Sequence, residues 1–186
     1  MRRLAMPTAI LALGLAACGS PDPSDEPQAD AAADAAAVAE PMEAVALLRT
    51  ADGDSAGAAT ASAAGDTVTI SLNVEGLPPG EHGVHVHMAG SCEAPGFESA
   101  GGHWNPGNAM HGLEGEDGQH AGDMPNLTVA EDGTGTLEYQ LVGGTFDGLM
   151  DADGSAFVVH ADPDDQMTDP SGNSGDRIAC GVFTAG

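Results

Sequence analysis

Val68, Ile70, Leu72 and Val74 alternate with Thr69, Ser71, Asn73 and Glu75. A repeat of two puts successive side chains on opposite faces of an extended chain, so this stretch buries one face and wets the other as a β-strand. Shorter strands are expected at residues 45–48, 56–62, 84–87, 127–129, 134–140, 156–160 and 178–183. Asp52-Gly53, residues 76–80, Asp132-Gly133 and Asp153-Gly154 supply turns between several of them. Eight short strands with no convincing helical stretch predict an antiparallel sandwich or barrel. The chain has one Trp, one Tyr and four Phe, so its core must rest mainly on Val, Leu, Ile and Ala. Two segments break the rhythm, residues 88–125 and 161–176. Loops of that length in a compact domain are usually functional.

Ahead of the strands the sequence changes character. Met1-Arg2-Arg3 is followed by a run through Ala17 that is apolar apart from Thr8. The run is too short to span a bilayer comfortably and reads as a signal peptide over residues 1–17. It ends in Leu15-Ala16-Ala17-Cys18, which resembles a bacterial lipobox, where Cys18 is acylated and becomes the first mature residue. The alternative is an ordinary signal peptide with an incidental cysteine. Residues 18–41 are rich in Ala, Asp and Pro without apolar periodicity, the composition of a disordered tether. A short helix over residues 31–39 is the other reading. The folded domain is then expected over residues 42–186. Gly19 after the cysteine, instead of Asp, favours the outer membrane and the periplasmic face of a bacterial envelope.

Charge excludes one class of partner. Asp and Glu total 29 against four Lys and Arg, all of them Arg, for a formal charge of −25. Nucleic acid requires clustered basic residues and is not expected as a partner. Removal of residues 1–17 takes Arg2 and Arg3 with it and moves the charge to −27. With Cys18 acylated, Cys92 and Cys180 remain as an even pair. In an oxidising compartment such a pair is expected to be a disulfide, free buried thiols being the alternative.

The seven histidines carry the chemistry. His85 and His87 lie two apart on an expected strand, so both imidazoles share a face and can serve one ion. His103, His111, His120 and Asp123 fall within 21 residues and make a plausible tetrahedral zinc set. His160 closes the apolar run Phe157-Val158-Val159, at the end of a strand. His82, three residues before His85, falls on the opposite face by strand alternation and is expected at the surface.

Taken together, these motifs resemble the copper,zinc superoxide dismutase family. The matching residues are Gly83-Val84-His85-Val86-His87, Gly102-His103-Trp104-Asn105-Pro106, His111, His120-Ala121-Gly122-Asp123, Val159-His160 and residues 175–182 around Arg177 and Cys180. The resemblance implies an eight-stranded antiparallel Greek-key β-barrel and dismutation of superoxide to oxygen and hydrogen peroxide. It implies copper held by His85, His87, His103 and His160, and zinc held by His103, His111, His120 and Asp123, with His103 bridging both. Asp164 would hydrogen-bond one histidine of each metal, or else be one surface acid in the run Asp162-Pro163-Asp164-Asp165. Arg177 would attract and orient superoxide, where the alternative is a surface pair with Asp176. Cys92 and Cys180 would be the family's intrasubunit disulfide. The partners implied are superoxide and a membrane reached through Cys18, with monomer and homodimer both open. A non-catalytic periplasmic copper/zinc binding or delivery module on the same fold is the rival reading.

Overall fold

A computed structural model describes residues 42–115 and 118–186. The expected signal peptide, Cys18 and the tether lie outside the described residues. Among those residues no helix is long and apolar enough to cross a membrane.

Among the described residues nine strands form: β1 Met42–Thr50, β2 Ser55–Ala64, β3 Thr67–Val74, β4 Gly80–His82, β5 Val84–His87, β6 Leu127–Val129, β7 Gly135–Gln140, β8 Ala156–His160 and β9 Arg177–Ala185. A four-residue α-helical turn, α1 Phe146–Leu149, is capped by the Thr145 side chain, which accepts from the Gly148 amide. Seven strands make one antiparallel sheet in the order β5-β8-β9-β1-β2-β3-β7, and β4 pairs with β6. β8 and β9, last in sequence, thus lie between β5 and β1, the crossed connectivity of a Greek key. The strand beyond the eight expected is β4, which begins at the end of the turn read over residues 76–80.

The alternation read in residues 68–74 is what the sheet uses: Val68, Ile70, Leu72 and Val74 are buried. Small residues face large ones across the ladder, with Ala59 opposite Leu72, Ala61 opposite Ile70 and Ala63 opposite Val68. That pairing sets small side chains beside large ones, and each large aliphatic side chain so buried contributes about 1.5–3 kcal/mol. Phe157 and Phe183 meet edge to face with centroids 6.4 Å apart.

β5 is buried on both faces. Val84 and Val86 enter the core, while His85 and His87 point away from it. One edge of β5 pairs with β8, and the other is lined by the long loop that follows it. The Val86 amide donates to Gly122 at 3.0 Å, and the Trp104 amide donates to Val86 at 2.8 Å. His103 comes to lie opposite His87, and Asp123 opposite His85. A side chain at Gly122 would collide with the Val86 carbonyl, so this approach of loop to strand requires glycine there.

His82 departs from the sequence reading. It is buried, not on the surface, with Nδ1 2.8 Å from the His160 carbonyl oxygen and Nε2 2.9 Å from that of Pro78. Alternation puts His82 opposite His85 only if one strand runs through Gly83, but β4 and β5 belong to different sheets. Gly83 is where the chain switches, and facing parity does not carry across such a switch.

Candidate metal centre

Six histidines and two aspartates converge beside β5, all of them buried. Donor atoms of His85, His87, His103 and His160 lie within 4.8 Å of one another, as do those of His103, His111, His120 and Asp123. The two sets share His103.

Four of the rings, His85, His87, His111 and His160, are oriented by one nitrogen, leaving the other as a donor. His87 Nδ1–H donates to the Gly101 carbonyl at 2.9 Å, and His160 Nδ1–H donates to that of Gly175 at 3.3 Å. A carbonyl only accepts, so both tautomers are fixed with Nε2 as the lone pair. His85 Nε2–H donates to Asp164 Oδ2 at 2.7 Å, which frees Nδ1. His111 Nε2 meets Asp164 Oδ1 at 3.1 Å. The buried nitrogens left without a hydrogen-bond partner are His85 Nδ1, His87 Nε2, His103 Nε2, His111 Nδ1, His120 Nδ1 and His160 Nε2. An isolated buried polar atom is costly, and six in two converging groups form a coordination environment.

The second group also has the dimensions of a zinc site. Asp123 Oδ1 lies 2.9 Å from His103 Nδ1, 3.2 Å from His111 Nδ1 and 3.3 Å from His120 Nδ1. Bonds of about 2.0–2.1 Å arranged tetrahedrally require neighbouring ligands roughly 3.3 Å apart. Three imidazoles and one carboxylate suit zinc, and four imidazoles suit copper. His103 alone faces both groups, Nδ1 toward the second and Nε2 toward the first.

Electrostatics agree with this division. Burial pushes His85 down to about 3, against the bond to Asp164. Burial likewise pushes His160 down to about 4 and lowers His87 and His103, so these rings are neutral lone-pair donors at pH 7. Burial also opposes charge on His111, but the nearby carboxylates of Asp123 and Asp164 outweigh that and push it up to about 9. Its position between two carboxylates is one that attracts a cation. Asp123 and Asp164 are both held below the usual carboxylate range despite burial, because histidines and backbone amides donate to them.

Asp164 is therefore no surface acid. It ties one histidine of each group together, and Asn126 clamps its backbone, Nδ2 donating to the Asp164 carbonyl and Oδ1 accepting from its amide, both at 2.8 Å. Gly172, at φ +62°, packs so closely that any side chain there would collide with Asp164 and His111. Neither Asn126 nor Gly172 carried a sequence signal. Nor did Asp169, which accepts from the His111 amide at 2.9 Å and lies 3.8 Å from His120 Nε2.

A cavity of about 540 Å³ opens onto the first group, lined by His87, His103, His160, Asp169 and Arg177 among others. A β-bulge between Val159 and His160 re-aims the end of β8 and sets His160 opposite Arg177 on β9. The Arg177 guanidinium donates to the carbonyls of Phe97 and Gly101, at 2.6 and 2.7 Å. Cys92 and Cys180 are disulfide-bonded, with Cα atoms 5.7 Å apart. A second hollow of about 560 Å³ shares Arg177 but contains none of the histidines.

The fold and site together define a Greek-key β-protein with two adjoining groups of buried side chains that could each hold a metal ion and that have His103 in common. The chain belongs to the copper/zinc superoxide dismutase family, whose sequence profile matches residues 55–183. The metals of that family are copper and zinc, and its activity is superoxide dismutation. Over 147 residues the chain is 44% identical to a copper–zinc superoxide dismutase of Caulobacter vibrioides, covering 75% of this chain and 84% of that one. It is 37% identical over 190 residues to the superoxide dismutase-like protein YojM of Bacillus subtilis, covering 98% and 96% respectively. A crystal structure of a superoxide dismutase-like protein from Bacillus subtilis matches with a TM-score of 0.68 at 39% identity, covering 75% of this chain and 97% of that chain.

Proposed function

We propose that the protein dismutes superoxide to oxygen and hydrogen peroxide, with copper held by His85, His87, His103 and His160 and zinc by His103, His111, His120 and Asp123. The observation that carries this reading is the six partnerless imidazole nitrogens aimed in two groups that share one ring. When bound, copper supplies a one-electron redox couple, and zinc, lacking a second accessible oxidation state, supplies fixed positive charge.

The chain's own residues supply position, charge and protons. Asp164 and the Gly101 and Gly175 carbonyls hold the rings so that each presents a lone pair. Arg177, on the cavity wall, keeps its charge and has N–H groups beyond those spent on Phe97 and Gly101, which suits it to draw in and orient a small anion. His103 lines the same cavity, and its Nε2, which has no hydrogen-bond partner, is the nitrogen suited to hold a proton and pass it to the product. Residues 1–17 and Cys18 extend the reading to export and lipid anchoring on the periplasmic face, with residues 18–41 as tether and 42–186 as the catalytic domain. The disulfide supports an oxidising compartment.

The designation of the Bacillus subtilis relative as superoxide dismutase-like favours a second reading, a non-catalytic copper/zinc binding or delivery module. Superoxide decay followed by pulse radiolysis separates the two. Protein loaded with both metals is expected to remove superoxide near the diffusion limit, and copper-free, zinc-loaded protein is expected to be inert. Full metal uptake without catalysis establishes the binding module instead.

A further outcome follows from charge. With a net charge of −25 and no lysine, the molecule repels an anionic substrate at long range, and Arg177 acts only locally. Salt screens charges beyond about 8 Å at physiological ionic strength. The rate constant is therefore expected to rise with added salt from low ionic strength before levelling. A rate that falls steadily with salt would show that local attraction governs encounter throughout.

A further inference from the structure

Six large apolar side chains are exposed among the described residues, and four are methionines: Met42, Met88, Met110 and Met167. Three of these adjoin the site. Met88 follows His87, Met110 precedes His111, and Met167 lies on the loop between Asp164 and Asp169. Leu and Val at such positions would be equally apolar, so burial does not explain the choice of residue. What distinguishes methionine is a soft thioether.

Met110 is the telling case. It is 52% exposed and lines the cavity that leads to His87, His103 and His160. It is the one sulfur in a wall whose other polar side chains are oxygen and nitrogen donors, Asn105, Asn108, Asp169 and Ser171 included. Its backbone is held on both sides. Asn105 Nδ2 donates to the Ala109 carbonyl at 2.9 Å while Asn105 Oδ1 accepts from the Ala109 amide at 3.0 Å, and the His111 amide donates to Asp169. A pinned loop thus presents an exposed thioether at the mouth of a histidine site. Met88 packs against Gly101, with its Cγ 3.0 Å and its Sδ 3.6 Å from where a Cβ of that glycine would lie, and the Met167 amide nitrogen abuts Gly112 in the same way at 2.8 Å.

We propose that Met110 is a copper(I) entry ligand, capturing the ion at the cavity mouth and passing it inward to the histidines, with Met88 and Met167 as flanking thioethers. The proposal rests on the assignment of copper to the His85, His87, His103 and His160 group. A thioether is a soft donor that favours copper(I) over the harder copper(II), so the entry ligand speeds loading of one oxidation state without setting final occupancy.

The test mixes zinc-loaded, copper-free protein anaerobically with copper(I)–bicinchoninate and follows loss of the chromophore. A parallel series uses copper(II)–glycinate and follows the copper(II) spectrum. Met110→Leu, which preserves size and apolarity, is expected to slow uptake from copper(I) by about tenfold, at the lower end of what loss of a supporting group costs a metal site. Uptake from copper(II) and final copper content are expected to match the parent, and adding Met88→Leu and Met167→Leu should slow copper(I) uptake further. Equal copper(I) uptake by parent and Met110→Leu overturns the proposal. So does equal slowing for both oxidation states, which would report an altered mouth and not a lost soft donor. A parent protein that binds no copper from either source overturns the copper-site assignment itself, and the entry ligand with it.

Discussion

Asp123→Ala is expected to remove zinc binding and destabilise the metal-free domain together. Asp123 Oδ1 is the oxygen on which His103, His111 and His120 converge, and Oδ2 accepts from the amides of Gly112 and His120 at 2.9 and 3.0 Å. One side chain therefore supplies a proposed ligand and holds the loop that carries two other proposed ligands, His111 and His120. Loss of a group that only supports a ligand typically costs a metal site about 10–100-fold in affinity, and loss of a ligand with its loop should exceed that range. The variant also leaves His111 with one of its two carboxylates. Removing one partner from a buried, charged pair costs on the order of 3–5 kcal/mol, because the remaining charge stays desolvated. Zinc affinity by chelator competition and thermal melts with and without zinc measure both effects. The parent should gain a large zinc-dependent increment in melting temperature and the variant almost none. An unchanged increment would remove Asp123 from the zinc set.

Much of this site could be read from residue order because β-strand parity is a strict rule over short distances. His85 and His87 are two apart on one strand and share a face, and His160 ends a strand whose apolar run is unmistakable. The same rule failed at His82, where Gly83 lies between strands of different sheets. The glycine itself held the clue: a Cβ there would lie 2.8 Å from Ser174 Cβ and 3.2 Å from Asp164 Cβ, a crowding typical of a crossing point. Asp164 could not be told from Asp162 and Asp165 by its neighbours alone, because a run of acids looks solvated at every position. What separates it is a clamp from Asn126, 38 residues away, and such long-range pairing leaves no local mark. The turn Phe146–Leu149 was invisible for a different reason, since four residues are too few to show a period of 3.6. Strand count erred by one for a similar cause: β4 is three residues long and pairs with β6, another three-residue strand.

The largest loss of stability is expected from replacing Cys92 and Cys180 together by serine. The bond closes a loop of 88 residues, and closing one of that length lowers the entropy of the unfolded chain by an amount equivalent to about 4–5 kcal/mol. That is a large fraction of the roughly 5–15 kcal/mol that holds a typical domain folded. The consequence extends to the cavity. Cys180 lies on β9, three residues after Arg177, and Cys92 anchors the segment whose Phe97 and Gly101 carbonyls accept from that guanidinium. Gly101 O also accepts from His87 Nδ1, so one carbonyl orients both the arginine and a proposed copper ligand. Without the covalent tie, the segment is held to the sheet only by the apolar contacts of Phe97, Ala100, Ala156 and Val158 and by hydrogen bonds, those of Arg177 and His87 among them. The double serine variant should therefore unfold at lower denaturant and, while still folded, lose substrate capture more than metal content. Urea titration gives the first quantity, and kcat/KM against copper content gives the second. A variant destabilised by the expected amount but with unaltered kcat/KM per copper would show that core packing positions Arg177 without help from the disulfide.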